Sequence, residues 1–418
     1  MSSDGRSKLD GFDGLRALAA LTVLTYHVAL LRGYSRAGSL APLLSELKGG
    51  VAIFFVISGA LLYLPYARAL RDGGDPPDWR AYGFRRSVRI LPAYWVALTA
   101  LALGPFSAGV IGPDAGTYYG LSQIYNPQTL IGGLGVAWSL CVEVTFYAFL
   151  PVFAWLVARV AGGSGGVAAA RVQLSWIAGA GLASLLLRGA LAGSLTGAFH
   201  DRGGTVMVSL PGLLDWFAIG MALAVLRVEC EVGRASRSVV TLLGRRPGLC
   251  VVLAFAAFMA GVPGQHGDIF LPWYGLATHI AIGLGSGLLV LAVITPRDGA
   301  SASWTLRPLY SPVAAWLGTI SYGIYLWHFL VLELIDQVWV PTRSSTLVTV
   351  GLVWVGVTAG ALGLGTASFY VVEQPAQRLL RRLQNRVRLP GRPGENSETV
   401  QSGLDSLNSA GVAVDHLA

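Results

Sequence analysis

Apolar residues run along this chain in blocks of roughly 18 to 25, the length that carries a helix across about 30 Å of hydrocarbon. The blocks fall near residues 12–33, 48–67, 90–110, 135–158, 172–195, 206–227, 248–263, 272–295, 312–335 and 346–371. The pattern predicts an all-α integral membrane protein with about ten transmembrane helices in one bundle. No repeat of fixed period divides it, so residues 1–380 are expected to form one membrane domain. From about residue 384 the sequence becomes RVRLPGRPGENSETVQSGLDSLNS, rich in turn-forming and polar residues. Residues 381–418 are therefore expected to be a disordered cytoplasmic tail. The first block is span-length and carries Arg16 and His27, which marks a retained helix and not a cleaved leader.

Composition sharpens this picture. Hydrophobic residues make up 54% of the chain and charged residues only 12%, with a mean hydropathy of +0.59, which excludes an ordinary soluble domain. Distributed over alternate sides of the expected spans, 23 of the 30 Lys and Arg residues fall on the side of the two termini and six on the other, Arg16 lying within a span. The positive-inside rule then puts both termini in the cytoplasm and the chain in the cytoplasmic (inner) membrane as a multi-pass protein. A net charge of +8 so distributed suits anionic lipid headgroups and gives no reason to expect nucleic acid. Cys141, Cys230 and Cys250 have neither metal-site nor disulfide-framework spacing, so no metal and no bound cofactor are expected. The Gly-rich pieces GLGSGLL and GALGLG follow no strand and fit close helix packing.

Ionisable groups inside a bilayer cost about 3 kcal/mol each on insertion scales, so those within the spans are the candidates for function. Arg16 and His27 lie eleven residues apart in DGLRALAALTVLTYH, which returns both to nearly one face of a helix with a rise of about 16 Å. They read either as an anion clamp below a proton acceptor or as an interface anchor with a packing histidine. Glu143 in WSLCVEVTFYAFLP must be neutral, paired or hydrogen-bonded. His328 shares a face with Tyr325 and Tyr322 in SYGIYLWHF. Arg85, Arg86 and Arg89 stand where a cytoplasmic loop enters the third span, and suit the phosphates of coenzyme A or of lipids. Pro92 is expected near the start of that span, where a proline loses no helical hydrogen bond. Glu373, near Arg378, reads as a salt-bridge partner.

Taken in order, these motifs resemble the acyltransferase 3 family of multi-pass membrane acyltransferases. An Arg, ten residues, then a His matches Arg16 and His27; FFVISG is residues 54–59; and R-x-x-R ahead of I-x-P-x-Y-W resembles Arg86 to Arg89, with Leu91 separating Ile90 from Pro92. W-S-L-x-x-E matches Trp138, Ser139, Leu140 and Glu143, S-Y-x-x-Y-L-x-H matches Ser321 through His328, and V-E-x-P is Val372 to Pro375. The resemblance covers roughly residues 9–380. It implies transfer of an acetyl or other short acyl group from cytosolic acyl-CoA, the co-substrate, to a hydroxyl of an acceptor, with His27 as general base and the arginine cluster near the donor's phosphates.

In that reading Arg16, Arg85, Arg86 and Arg89 hold the anionic donor and Glu143 orients His27. Tyr322, Tyr325 and His328 line the acceptor side or stabilise the oxyanion, and Ser139 is a binding residue that is also open to a covalent role. The Ala, Gly, Leu, Val and Arg bias suits a GC-rich genome, and chains of this size resemble actinomycete enzymes of antibiotic biosynthesis that acylate a macrolide or sugar; polysaccharide and lipo-oligosaccharide O-acetylases share the motifs. The rival from another class is a proton-coupled exporter using His27, Glu143 and His328 as a proton relay. It leaves the arginine cluster and the motif order without a role.

Overall fold

The computed structural model describes residues 10–33, 40–104, 109–192, 202–233, 238–260, 272–295, 304–338 and 347–387. All regular structure in them is helical. In chain order the helices are α1 (Asp10–Leu31), α2 (Ala41–Glu46), α3 (Gly50–Asp72), α4 (Trp79–Leu103), α5 (Ala115–Tyr119), α6 (Trp138–Ala161), α7 (Gly166–Ala192) and α8 (Arg202–Met207). There follow α9 (Leu210–Glu231), α10 (Val239–Gly244), α11 (Pro247–Ala260), α12 (Pro272–Ile294), α13 (Pro312–Thr319), α14 (Ser321–Val338), α15 (Leu347–Ser368) and α16 (Gln374–Val387). A π-helical turn, Phe369–Glu373, joins the last two. The expected tail from residue 388 onward lies outside the described residues, and α16 itself runs seven residues past the expected domain end at 380.

Seven helical segments are long and apolar enough to cross a membrane, or eight if one bent pair counts as a span. The expected ten is not reached, for two local reasons. Helix α4 carries Arg80, Arg85, Arg86 and Arg89 in its first half, and α11 has only 14 residues. The expected continuous span at 312–335 is two helices, α13 and α14, bent by 66°. Helix α4 also begins eleven residues before the expected span, at an N-cap where the Asp78 side chain accepts from the Arg80 N–H. Pro92 therefore sits inside the helix and not in its first turn, and it deprives the Val88 carbonyl of its helical donor.

Chain punctuation accounts for the main breaks. Gly73 and Gly162 adopt left-handed φ of 68° and 58° and close α3 and α6, a conformation that costs glycine little. Ser311 caps α13 by accepting from the Ala314 N–H. The tightest crossing joins α3 to α9: a Cβ on Gly59 would strike the Phe217 backbone, and one on Gly220 the Val56 carbonyl. Small residues let the two backbones meet there, as in membrane helix pairs generally. Phe55, Phe217 and Phe146 stack beside the crossing at 4.6 and 4.1 Å between centroids, which ties α6 to the same core. Helix α1 lies against α3, α13 and α14, and that packing forms the candidate site.

Candidate active site

Helices α1 and α14 bring together two imidazoles that are 301 residues apart. His27 Nδ1 lies 2.9 Å from the Val23 carbonyl oxygen and 3.2 Å from His328 Nε2. His328 Nδ1 in turn lies 3.2 Å from the Ile324 carbonyl oxygen. A carbonyl can only accept, so both rings carry their proton on Nδ1 when neutral. His328 Nε2 is then an acceptor, and the His27 Nδ1–H is shared between it and Val23. His27 Nε2 keeps its lone pair and makes no hydrogen bond to any described residue. His27 is half-buried while His328 is fully buried. The open nitrogen therefore belongs to the more accessible ring, and Phe329 fixes that ring edge-on at 5.9 Å. This is a base nitrogen with its opposite N–H held by two acceptors, the arrangement that stabilises an imidazolium once a proton arrives.

Glu143 does not orient this pair, contrary to the expectation from sequence. Ser58 Oγ and Tyr147 OH both donate to its Oε1, at 2.8 and 2.6 Å, and Oε2 stays open. The physical reason is helical register: Tyr147 sits one turn along α6 from Glu143, and Ser58 faces it from α3. The Arg86 guanidinium lies over the rings of Tyr82 and Tyr147 at 6.0 and 5.9 Å, within electrostatic range of Glu143 and Arg89. Arg16 pairs with Asp13 at 2.7 Å and also interacts with the charges of Arg89 and Arg86. The structure thus gathers Arg16, Arg86 and Arg89. Arg85 turns to the neighbouring face, near Tyr66 and Tyr82. None of Arg85, Arg86 and Arg89 makes an ion pair within 4 Å among the described residues. Glu373, in the π-helical turn, is buried, accepts from Ser368 at 3.5 Å and interacts with Arg89, not with Arg378.

The remaining predicted residues are committed to the protein itself. Tyr325 OH donates to the Val136 carbonyl at 3.0 Å and lies 2.7 Å from Ser139 Oγ. Ser139 Oγ also donates to the Val136 carbonyl, at 3.2 Å, and no imidazole or carboxylate hydrogen-bonds it among the described residues. Tyr322 OH donates to the Ile90 carbonyl at 2.8 Å, locking α14 to α4 one residue after Arg89. Cys141 and Cys250 are buried, and no group of three or more metal-ligating side chains occurs among the described residues.

Sequence reasoning missed one ionisable cluster. Asp215 of α9 accepts from His279 Nε2 of α12 at 2.8 Å and from Ser184 Oγ of α7 at 3.2 Å. Arg188, also on α7, donates to the Met207 and Gly212 carbonyls, and its charge offsets that of Asp215. His279 stacks on Trp216 at 4.3 Å, and all four polar residues are buried. Each lies within an expected span, so the cost of intramembrane charge was the signal available for finding them.

Comparison with known proteins places this geometry. The sequence profile of the acyltransferase 3 family, described as an acyltransferase domain, matches residues 9–369. The peptidoglycan O-acetyltransferase OatA of Listeria monocytogenes is 24% identical, over 89% of this chain and 56% of its own. The putative peptidoglycan O-acetyltransferase YrhL of Bacillus subtilis is 28% identical, over 78% and 49%, and a putative O-acetyltransferase of Staphylococcus aureus is 24% identical, over 81% and 53%. The chain spans about half the length of these curated relatives. No solved structure matches it. With the profile covering most of its length, the chain belongs to the acyltransferase 3 family, the multi-pass membrane acyltransferases.

Proposed function

We propose that this protein is a membrane O-acyltransferase that moves an acetyl or other short acyl group from acyl-CoA to a hydroxyl of an acceptor. The observation that carries the reading is the His27–His328 pair, whose one open nitrogen is Nε2 of His27. Near the other end of the same helix, about 16 Å away along α1, Arg16 meets Arg86 and Arg89, which make no ion pair among the described residues. A neutral imidazole in that setting is built to accept a proton, and guanidiniums without partners are built to hold phosphates.

Arg86, Arg89 and Arg16 bind the phosphates of the donor from the cytoplasmic side, and the acyl thioester reaches toward His27. As the acceptor oxygen attacks the thioester carbonyl, its proton passes to His27 Nε2. The C–S bond then breaks, and the imidazolium returns that proton to the thiolate. Through the transfer the His27 Nδ1–H stays bound to the Val23 carbonyl and to His328 Nε2, which stabilise the positive ring. Glu143, steadied by Ser58 and Tyr147, balances the charge of Arg86. Both termini then face the cytoplasm of a bacterial inner membrane.

The relatives named as peptidoglycan O-acetyltransferases favour a glycan acceptor over the macrolide expected from sequence. The test incubates membranes holding the wild type or His27→Ala with radiolabelled acetyl-CoA and propionyl-CoA, glycans and macrolides. Label in one acceptor with the wild type only, both proteins reaching the membrane, is the expected result. Transfer that persists in His27→Ala removes His27 as the base. Acyl-CoA-independent export of an unmodified substrate from vesicles sinks the transferase reading altogether.

A further inference from the structure

We propose that a polar rim formed by Arg32, Glu333 and Asp336, at the ends of α1 and α14 remote from the arginine cluster, recognises the acceptor and selects an uncharged, hydroxyl-rich one. The proposal rests on the transferase reading and adds to it the acceptor's side and chemical class.

The rim continues the two helices that carry the imidazoles. Arg32 follows His27 by five residues and Asp336 follows His328 by eight, rises of about 7.5 and 12 Å beyond the pair. Arg32 Nη2 stands 2.7 Å from Asp336 Oδ1 but without hydrogen-bond geometry, so the contact is ionic and the buried Nε and Nη2 atoms have no acceptor. The Arg32 side chain is 1% exposed while that of Asp336 is 39% exposed. The carboxylate of this pair faces outward. Glu333 lies one turn before Asp336, half-buried, within range of the Asp336 charge. It makes no hydrogen bond or ion pair with any described residue.

Two carboxylates, one of them held by a buried guanidinium, therefore lie together about 7.5 to 12 Å beyond the candidate base. Carboxylate oxygens accept from hydroxyls, which a sugar-like polyol offers in number, and the buried Arg32 guanidinium fixes the Asp336 carboxylate for that contact. The rim's net charge is negative, so an anionic acceptor is repelled at the same place. The two ends of α1 thus divide the labour, with donor phosphates at Arg16 and acceptor hydroxyls at the carboxylates beside Arg32.

The test measures acetyl transfer from radiolabelled acetyl-CoA to chitotetraose and to an oligoglucuronate of equal length, using reconstituted full-length protein. Asp336→Asn and Glu333→Gln are each expected to raise the KM for chitotetraose roughly tenfold and to narrow the preference over oligoglucuronate, with the KM for acetyl-CoA unchanged. Unchanged chitotetraose KM in both variants overturns the proposal. The charge-swapped pair Arg32→Asp with Asp336→Arg separates recognition from folding. Restored thermal stability with a still-raised acceptor KM supports the rim, and full restoration of both reduces it to a structural tie. A wild type that transfers to a macrolide but to neither oligosaccharide overturns the rim alone, whereas acyl-CoA-independent export overturns the transferase reading and the rim with it.

Discussion

Replacing His328 by Phe keeps a flat ring of similar size in a fully buried position and removes one acceptor for the His27 Nδ1–H. The Val23 carbonyl keeps that proton bound, so the neutral ring should still sit in place with Nε2 open. The loss falls on the protonated state, in which the missing contact is a hydrogen bond from a charged donor, worth about 1.5 to 3 kcal/mol. At 1.36 kcal/mol per decade that is a slowing of roughly ten- to a hundredfold. Removing the base itself in His27→Ala should cost on the order of 10² to 10⁴, and the double variant should be no slower than His27→Ala alone, since His328 acts only through His27. Single-turnover transfer from radiolabelled acetyl-CoA measures all three, with thermal unfolding in detergent to confirm that each folds. His328→Gln, which can present an amide oxygen, should recover part of the loss. The reasoning is refuted if His328→Phe matches the wild type, or if the two single losses multiply in the double variant.

Other expectations follow from the same contacts. Arg86→Ala should raise the KM for acetyl-CoA by roughly tenfold, about the worth of a charged hydrogen bond, and more than Arg85→Ala does; Arg86→Lys should recover only part, lacking the planar fork, and steady-state kinetics at varied acetyl-CoA checks the order. Asp215→Ala strips the partner from His279 Nε2 and the counter-charge from Arg188, and breaking such a buried pair should cost about 3 to 5 kcal/mol, visible as a lowered unfolding temperature; an unaltered melt would show the cluster to be dispensable for stability. Gly220→Val drives a side chain into the α3 backbone at Val56 and Ala60 and should destabilise by about 1 to 3 kcal/mol, read in the same melts.

Much of this fold is legible locally because span length and apolarity are properties of consecutive residues. The span signal breaks down where chemistry interrupts it. The arginines that make α4 interesting also lower its hydropathy, and the bend between Thr319 and Ser321 falls inside a stretch whose average apolarity reads as one span. Arg16, His27, Glu143 and His328 stand out in sequence because charge in hydrocarbon is costly. Their partnerships do not, because register within a helix says nothing about which helix lies opposite. That is why Glu143 was matched with His27 and not with Ser58 and Tyr147, and why Asp215 and His279, 64 residues apart, went unremarked although each meets the same criterion.

The separation of His27 from His328 bears on how the protein is made. A chain emerges from the ribosome at about 5 to 20 residues per second, so roughly 15 to 60 s pass between the synthesis of α1 and that of α14. During that interval His27 sits in the membrane without the ring that supports it. Until α14 has been inserted the imidazole of α1 therefore lacks one of the two acceptors that hold its Nδ1–H. The completed pair is thus a feature of the late-inserted helix, closed by a contact of 3.2 Å.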